Sequence, residues 1–213
     1  VLNDREFELL PEACGGLPEP RGFQARIICL LEGRLGLRAS EIAHLQTTWS
    51  DWNRNLIQIP QHEPCACGYC ERQARQEASH NDELSEADAV PARWHPKTVA
   101  SARSLPFDLW LRLELCLERF ADRHDEFPRS RSSINRRVQA AADEAELSGR
   151  VYPHCLRATA ASNHADKDVA PVPLQALMGR SDLATAQKYM ISGTATADAL
   201  RRVHHRYPDR PVF

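Results

Sequence analysis

Pro153-His154-Cys155-Leu156-Arg157, followed by Leu177-Met178-Gly179-Arg180-Ser181-Asp182 and then by Tyr189, is the stretch on which the reading of this chain turns. His154 and Arg157 stand three apart, so a helix sets them on one face. Asp182 to Met190 also reads as helical. Ser181 suits an N-cap, and Leu183, Ala186 and Met190 supply an apolar stripe. An imidazole, two guanidiniums and a phenol brought together suit one task. The first three can hold a phosphodiester by its non-bridging oxygens while the phenol attacks phosphorus.

Upstream lies Gly36-Leu37-Arg38-Ala39-Ser40-Glu41-Ile42-Ala43-His44-Leu45. A guanidinium fork fits two phosphate oxygens, and a carboxylate three residues on can fix its rotamer. A third stretch, Trp94-His95-Pro96-Lys97-Thr98 through Arg103-Ser104-Leu105-Pro106, offers a turn lysine before a returning strand over Ser101 to Leu105.

Together these stretches resemble the signature boxes of the tyrosine recombinases, the phage-type integrases and Xer proteins. The second box of that family runs His-x-x-Arg, then Leu-Gly-His or Leu-Gly-Trp, then Tyr nine positions later. Tyr189 stands nine positions after Arg180. The first box, usually Thr-Gly-Leu-Arg-x-Ser-Glu, is matched at Arg38 and Glu41. Two departures stand out: Arg180 replaces the usual His or Trp, and Ala158 replaces a second His common in relatives.

The resemblance implies a mostly α fold with a small antiparallel β-sheet (α+β), the DNA breaking-rejoining catalytic domain, over residues 1–213. It implies that the family's N-terminal DNA-clamping domain is absent from this chain. The implied activity is site-specific DNA recombination through a 3′-phosphotyrosyl intermediate. In that scheme Tyr189 is the nucleophile, Arg38 and Arg157 clamp the phosphate, and Glu41 holds Arg38. His154 hydrogen-bonds the phosphate, and Lys97 protonates the departing 5′ oxygen. Arg180 can donate a hydrogen bond but cannot shuttle a proton at neutral pH. The implied partners are double-stranded DNA attachment sites, further copies of the chain forming a tetramer on DNA, and accessory or directionality factors. The setting is the cytoplasm of a prokaryotic or archaeal host. The Cys-rich segment and Trp49-Ser50-Asp51-Trp52 are similar to integrases of haloarchaeal viruses and plasmids. A type IB topoisomerase-like enzyme and a non-catalytic DNA-binding or zinc module on the same fold are the competing readings.

Charge alone says little, because the net value is −2. Its distribution says more. Residues 1–128 carry 14 Lys+Arg against 21 Asp+Glu, and residues 129–213 carry 13 against 8. The basic part holds His154 to Tyr189, as a phosphate-binding surface requires. No apolar run approaches the ~20 residues that span a membrane.

Residues 61–96 read as an insertion, polar and acidic, with a helix from Cys70 to Ser79. Seven cysteines are an odd number, and three fall between residues 65 and 70. That favours metal binding or free thiols over a disulfide framework. His62, Cys65, Cys67 and Cys70 form the candidate ligand set for a structural zinc, with His80 and His95 as other sources of the imidazole. Catalysis through a tyrosine needs no cofactor.

Elsewhere the pattern predicts a short helix around Glu6 to Leu10 and a mostly buried helix over Phe23 to Leu35, ended by Gly33 and Gly36. Two strands over 47–59 should flank a turn at Asn53-Arg54-Asn55. A helix over Pro106 to Ala121 should point Leu109, Leu113, Cys116, Leu117 and Phe120 inward. A second, over Ile134 to Leu147, should be capped by Ser132 or Ser133 and ended by Gly149. Helices over His154 to Asn163, Leu174 to Met178 and Thr196 to His205 complete the expectation.

Overall fold

The computed structural model describes residues 1–79, 93–123, 130–147 and 151–179. Its centre is α2 (Arg21–Gly33), which buries Phe23, Ala25, Ile27, Ile28, Cys29, Leu30 and Leu31. A helix apolar on nearly every side has to be surrounded. Around it pack α1 (Asp4–Ala13), α5 (Leu111–Arg123), α6 (Arg131–Glu144) and α7 (Pro153–Asp166). The short α3 (Ala39–Ile42) follows α2, and α8 (Pro171–Leu177) follows α7. Leu174 and Met178 pack on Ala161 and Ala165 of α7.

A three-stranded antiparallel sheet flanks the helices, in the order β1 (Ser50–Asp51), β2 (Leu56–Ile59), β5 (Arg103–Pro106). Between β2 and β5 the chain leaves this sheet. It forms a separate pair, β3 (Glu63–Pro64) with β4 (Arg93–Trp94), and carries α4 (Gly68–Ser79) between them. The Cys-rich insertion therefore hangs from a two-stranded stalk. Mostly helical with a small antiparallel sheet, the architecture is the one expected.

Several boundaries differ from the sequence reading, each for a local reason. Residues 47–49 form a 3₁₀ turn, so the first strand keeps only Ser50 and Asp51. Pro106 stays in β5 opposite Leu56, and Phe107 takes the buried position after it. Helix α5 consequently starts at Leu111 and leaves Leu109 exposed rather than inward. Ser130, not Ser132 or Ser133, caps α6, with its hydroxyl accepting from the Ser133 N–H at 3.1 Å. That helix ends at Glu144, after which Glu146 takes φ 51°. Gly149, the Asp182 to Met190 helix and the Thr196 to His205 helix lie outside the described residues. No helix among the described residues is long and apolar enough to cross a membrane.

Glu32, near the end of α2, is fully buried, and neither of its oxygens has a hydrogen-bond partner among the described residues. Burial pushes its carboxyl well above the ordinary range, against the pull of the Arg157 charge. A raised folded-state pKa gives stability that is fully present below the unfolded value and lost as pH rises toward the folded one. Stability should therefore fall with rising pH above the ordinary carboxylate range, by about 1.4 kcal/mol per pH unit for this group. Glu32→Gln should remove that slope and be at least as stable as the parent at pH 8. Urea unfolding across pH checks it; a variant less stable than the parent at pH 8 would contradict the assignment.

Candidate active site

The site begins at the end of α2. Gly36 takes φ +64°, and its N–H and that of Leu37 return to the carbonyls of Glu32 and Leu31. A Cβ there would lie 2.8 Å from the Met178 sulfur, so both conformation and space call for glycine. The turn delivers Arg38 just before α3. Arg38 Nη1 donates to Glu41 Oε1 at 2.7 Å and to the Ser101 hydroxyl at 2.8 Å, and Nη2 donates to the Gly179 carbonyl at 2.6 Å. Three of the five guanidinium N–H groups are thus held by protein, which leaves two for a ligand.

Glu41 is fully buried and serves a second arginine. Arg103 of β5 reaches it with both terminal nitrogens, at 3.1 and 3.0 Å, and also donates to the carbonyls of Leu177 and Ser101. Burial alone would raise the Glu41 carboxyl. The Arg103 charge and hydrogen bonds, then the Arg38 N–H and charge, outweigh it and hold the pKa below the ordinary value.

Arg157 emerges from the first turns of α7, nearly buried, and donates to the carbonyls of Gly36 and Met178. His154 sits one turn earlier, on the exposed end of the same helix, beside Pro153 at the first helical position. Lys97 is exposed on the segment between β4 and β5.

Arg38, Lys97, His154 and Arg157 all line one cleft of about 620 Å³, which Arg131, His95, Trp94 and Tyr69 also line. None of the described lining residues is acidic, and Glu41, the partner of Arg38, is fully buried and does not line the cleft. A cleft with several cations, two imidazoles and a helix N-terminus at its wall is built for an anion. Arg180 and Tyr189 lie outside the described residues.

A model of the phage integrase family matches residues 1–195. The chain belongs to the phage integrase family. Its fold is shared with a XerA recombinase (15% identity, TM-score 0.64, 98% of this chain and 64% of that one). It is shared too with the Tn1549 transposon integrase in complex with circular intermediate DNA (16% identity, TM-score 0.66, 97% and 66%). A lambda integrase dimer bound to a core site is more distant (17% identity, TM-score 0.51, 89% and 47%). The chain thus spans slightly under two thirds of the length of the XerA and Tn1549 proteins. No protein of curated function matches it by sequence.

Within this phage integrase fold, sequence reasoning passed over Arg103, Ser101 and the Gly179 carbonyl. Arg103 carried a readable signal. It shares a strand face with Leu105, and a charge on the buried face of a strand demands a partner. Gly179 has φ +54°, and a Cβ would lie 2.9 Å from Arg103 Nη1 and 3.0 Å from Ser101 Cα.

The thiol cluster also differs from expectation. The structure gathers Cys65, Cys67 and Cys70 around His44, with donor atoms all within 4.8 Å of one another. His62 is exposed and is not part of this group, and His95 lines the cleft instead. His80 lies outside the described residues. All seven cysteines are free thiols. Burial disfavours the Cys67 thiolate, but the Cys70 N–H, the His44 ring beside it and the other two thiols outweigh that and bring its pKa to about 6.

Proposed function

We propose that this chain is the catalytic domain of a site-specific DNA recombinase, which cuts and rejoins attachment sites to integrate or excise a mobile element. The observation that carries it is the convergence of Arg38, Lys97, His154 and Arg157 on one cleft that no carboxylate among the described residues lines. The Tyr189 oxygen attacks phosphorus and the P–O5′ bond breaks. A 3′-phosphotyrosyl link and a 5′ hydroxyl result. Arg38 and Arg157 stabilise the extra negative charge of the pentavalent state. His154 hydrogen-bonds the phosphate and takes the tyrosine proton, while Lys97 donates one to the leaving 5′ oxygen. Arg180 supplies a further hydrogen bond to the phosphate. A 5′ hydroxyl from the partner DNA then reverses these steps, so the bond energy is kept without ATP.

The substrates are double-stranded attachment sites, exchanged in a tetramer of this protein on DNA with accessory or directionality factors, in the cytoplasm of a prokaryotic or archaeal cell. No cofactor enters the reaction. The Cys65, Cys67, Cys70 group holds a zinc ion with a structural task.

The test is a nicked DNA substrate that traps the covalent intermediate, offered without magnesium or ATP. The parent chain should give a protein–DNA adduct, and Tyr189→Phe should bind the DNA and give none. A parent chain that binds the site but forms no adduct would assign it instead as a DNA-binding module on this fold.

A further inference from the structure

We infer that His44, not His62, is the fourth ligand of a Cys₃His zinc site, and that the ion clamps the insertion to the helix that positions Arg38. The donor geometry carries the ligand set. His44 Nε2 lies 3.4 Å from Cys67 Sγ and 3.5 Å from Cys70 Sγ. Zinc held tetrahedrally by sulfur at about 2.3 Å and nitrogen at about 2.0 Å requires a sulfur–nitrogen separation of about 3.5 Å. The orientation of the ring agrees. Its Nδ1 sits 2.8 Å from the Ser40 carbonyl, so that nitrogen carries the proton and Nε2 faces the thiols with its lone pair. A metal-binding histidine is usually held this way from behind. Trp94 stacks on the same ring, centroids 5.5 Å apart and planes 21° apart, and Trp49 packs on Trp94 at 5.1 Å.

The elements these ligands occupy give the site its consequence. His44 lies two residues past the end of α3, whose start presents Arg38 and whose Glu41 holds Arg38 and Arg103. Cys70 is in the first turn of α4, and Tyr69 beside it lines the cleft. One ion therefore joins the catalytic arginine's helix to the insertion, and fixes a wall of the cleft that Trp94, His95 and Tyr69 form. Coupling to catalysis rests on the reading of Arg38 given above; the ligand set does not.

The test uses the whole chain and measures metal first. Elemental analysis should give one zinc per chain, and cobalt substitution should give the strong visible bands and thiolate charge transfer of a tetrahedral sulfur-rich site. His62→Ala should leave both unchanged. His44→Ala should weaken zinc binding by more than about 100-fold in competition with a chromogenic chelator, since loss of an outer-shell partner alone costs 10–100-fold. His44→Cys, offering a fourth thiolate, should restore tight binding and shift the cobalt bands, which separates a lost ligand from a misfolded chain. Hydrogen exchange should show faster opening of residues 38–45 and 65–72 together on zinc removal. Zinc lost by His62→Ala and kept by His44→Ala would overturn the ligand set. Unchanged exchange over residues 38–45 after zinc removal would overturn the clamp. If the metal results fail while the Tyr189 adduct still forms, the recombinase reading stands and this inference falls.

Discussion

Arg38→Ala is expected to slow covalent adduct formation by roughly 10²–10³-fold, the usual cost of one donor aimed at developing charge. DNA binding should survive. One phosphate contact among several is lost, so the salt dependence of binding should flatten by about one counterion. Arg38→Lys should not rescue the rate. The arginine in place reaches Glu41, Ser101 and the Gly179 carbonyl while keeping two N–H groups for a ligand. An ammonium has three donors around one point and cannot replicate that fork. Single-turnover adduct formation on the nicked substrate measures the rate, and a salt titration measures binding. If Arg38→Ala reacts at the parent rate, the role given to this arginine is wrong.

How much of this site was legible follows the distance over which each pattern acts. His154 with Arg157, and Arg38 with Glu41, are each three apart within one local segment, so spacing alone predicts their proximity. The buried helix α2 was legible because its apolar residues from Phe23 to Leu31 leave only a narrow polar edge at Arg21, Gln24 and Arg26. Lys97 was singled out by the resemblance of its segment to the family's hairpin, and it lines the cleft although the strands on either side of it, β4 and β5, pair elsewhere. Arg103 and Glu41 were not read as a pair, because they are 62 residues apart and join only through the β2–β5 register and the fold of α3. His44 escaped for the same reason. A 3₁₀ turn and three strands separate it from the cysteines, whereas His62 is only three residues from Cys65 in sequence and exposed in space.

The charge of the cleft does not come from the basic part of the chain alone. The cleft draws Arg38 and Lys97 from the acidic part of the chain and Arg131, His154 and Arg157 from the basic part. Its positive character comes less from any basic half than from the placement of acids. Glu41, the carboxylate that holds Arg38 and Arg103, is fully buried and orients Arg38 without lining the cleft.

That placement makes Glu41→Gln the most damaging conservative substitution for stability. The variant keeps the shape of the side chain but removes the charge that Arg103, almost fully buried, and Arg38 share. Removing one partner of a buried ion pair costs about 3–5 kcal/mol, because the remaining charge stays buried without compensation. The acid behaviour gives an independent sign. The Glu41 carboxyl is held below its ordinary value in the folded chain. Its contribution is therefore present above the unfolded pKa and lost as pH falls through the folded one. Parent and Glu41→Gln should differ most near neutrality and converge in acid, once the parent's own carboxyl is protonated. Urea unfolding of both chains at a series of pH values reads the difference directly. A constant gap down to the lowest pH at which both chains fold would mean that the loss comes from packing rather than from charge. In either case the adduct rate should drop as well, because Arg38 loses the group that fixes its rotamer, and the drop should be smaller than that of Arg38→Ala, which removes the donor itself.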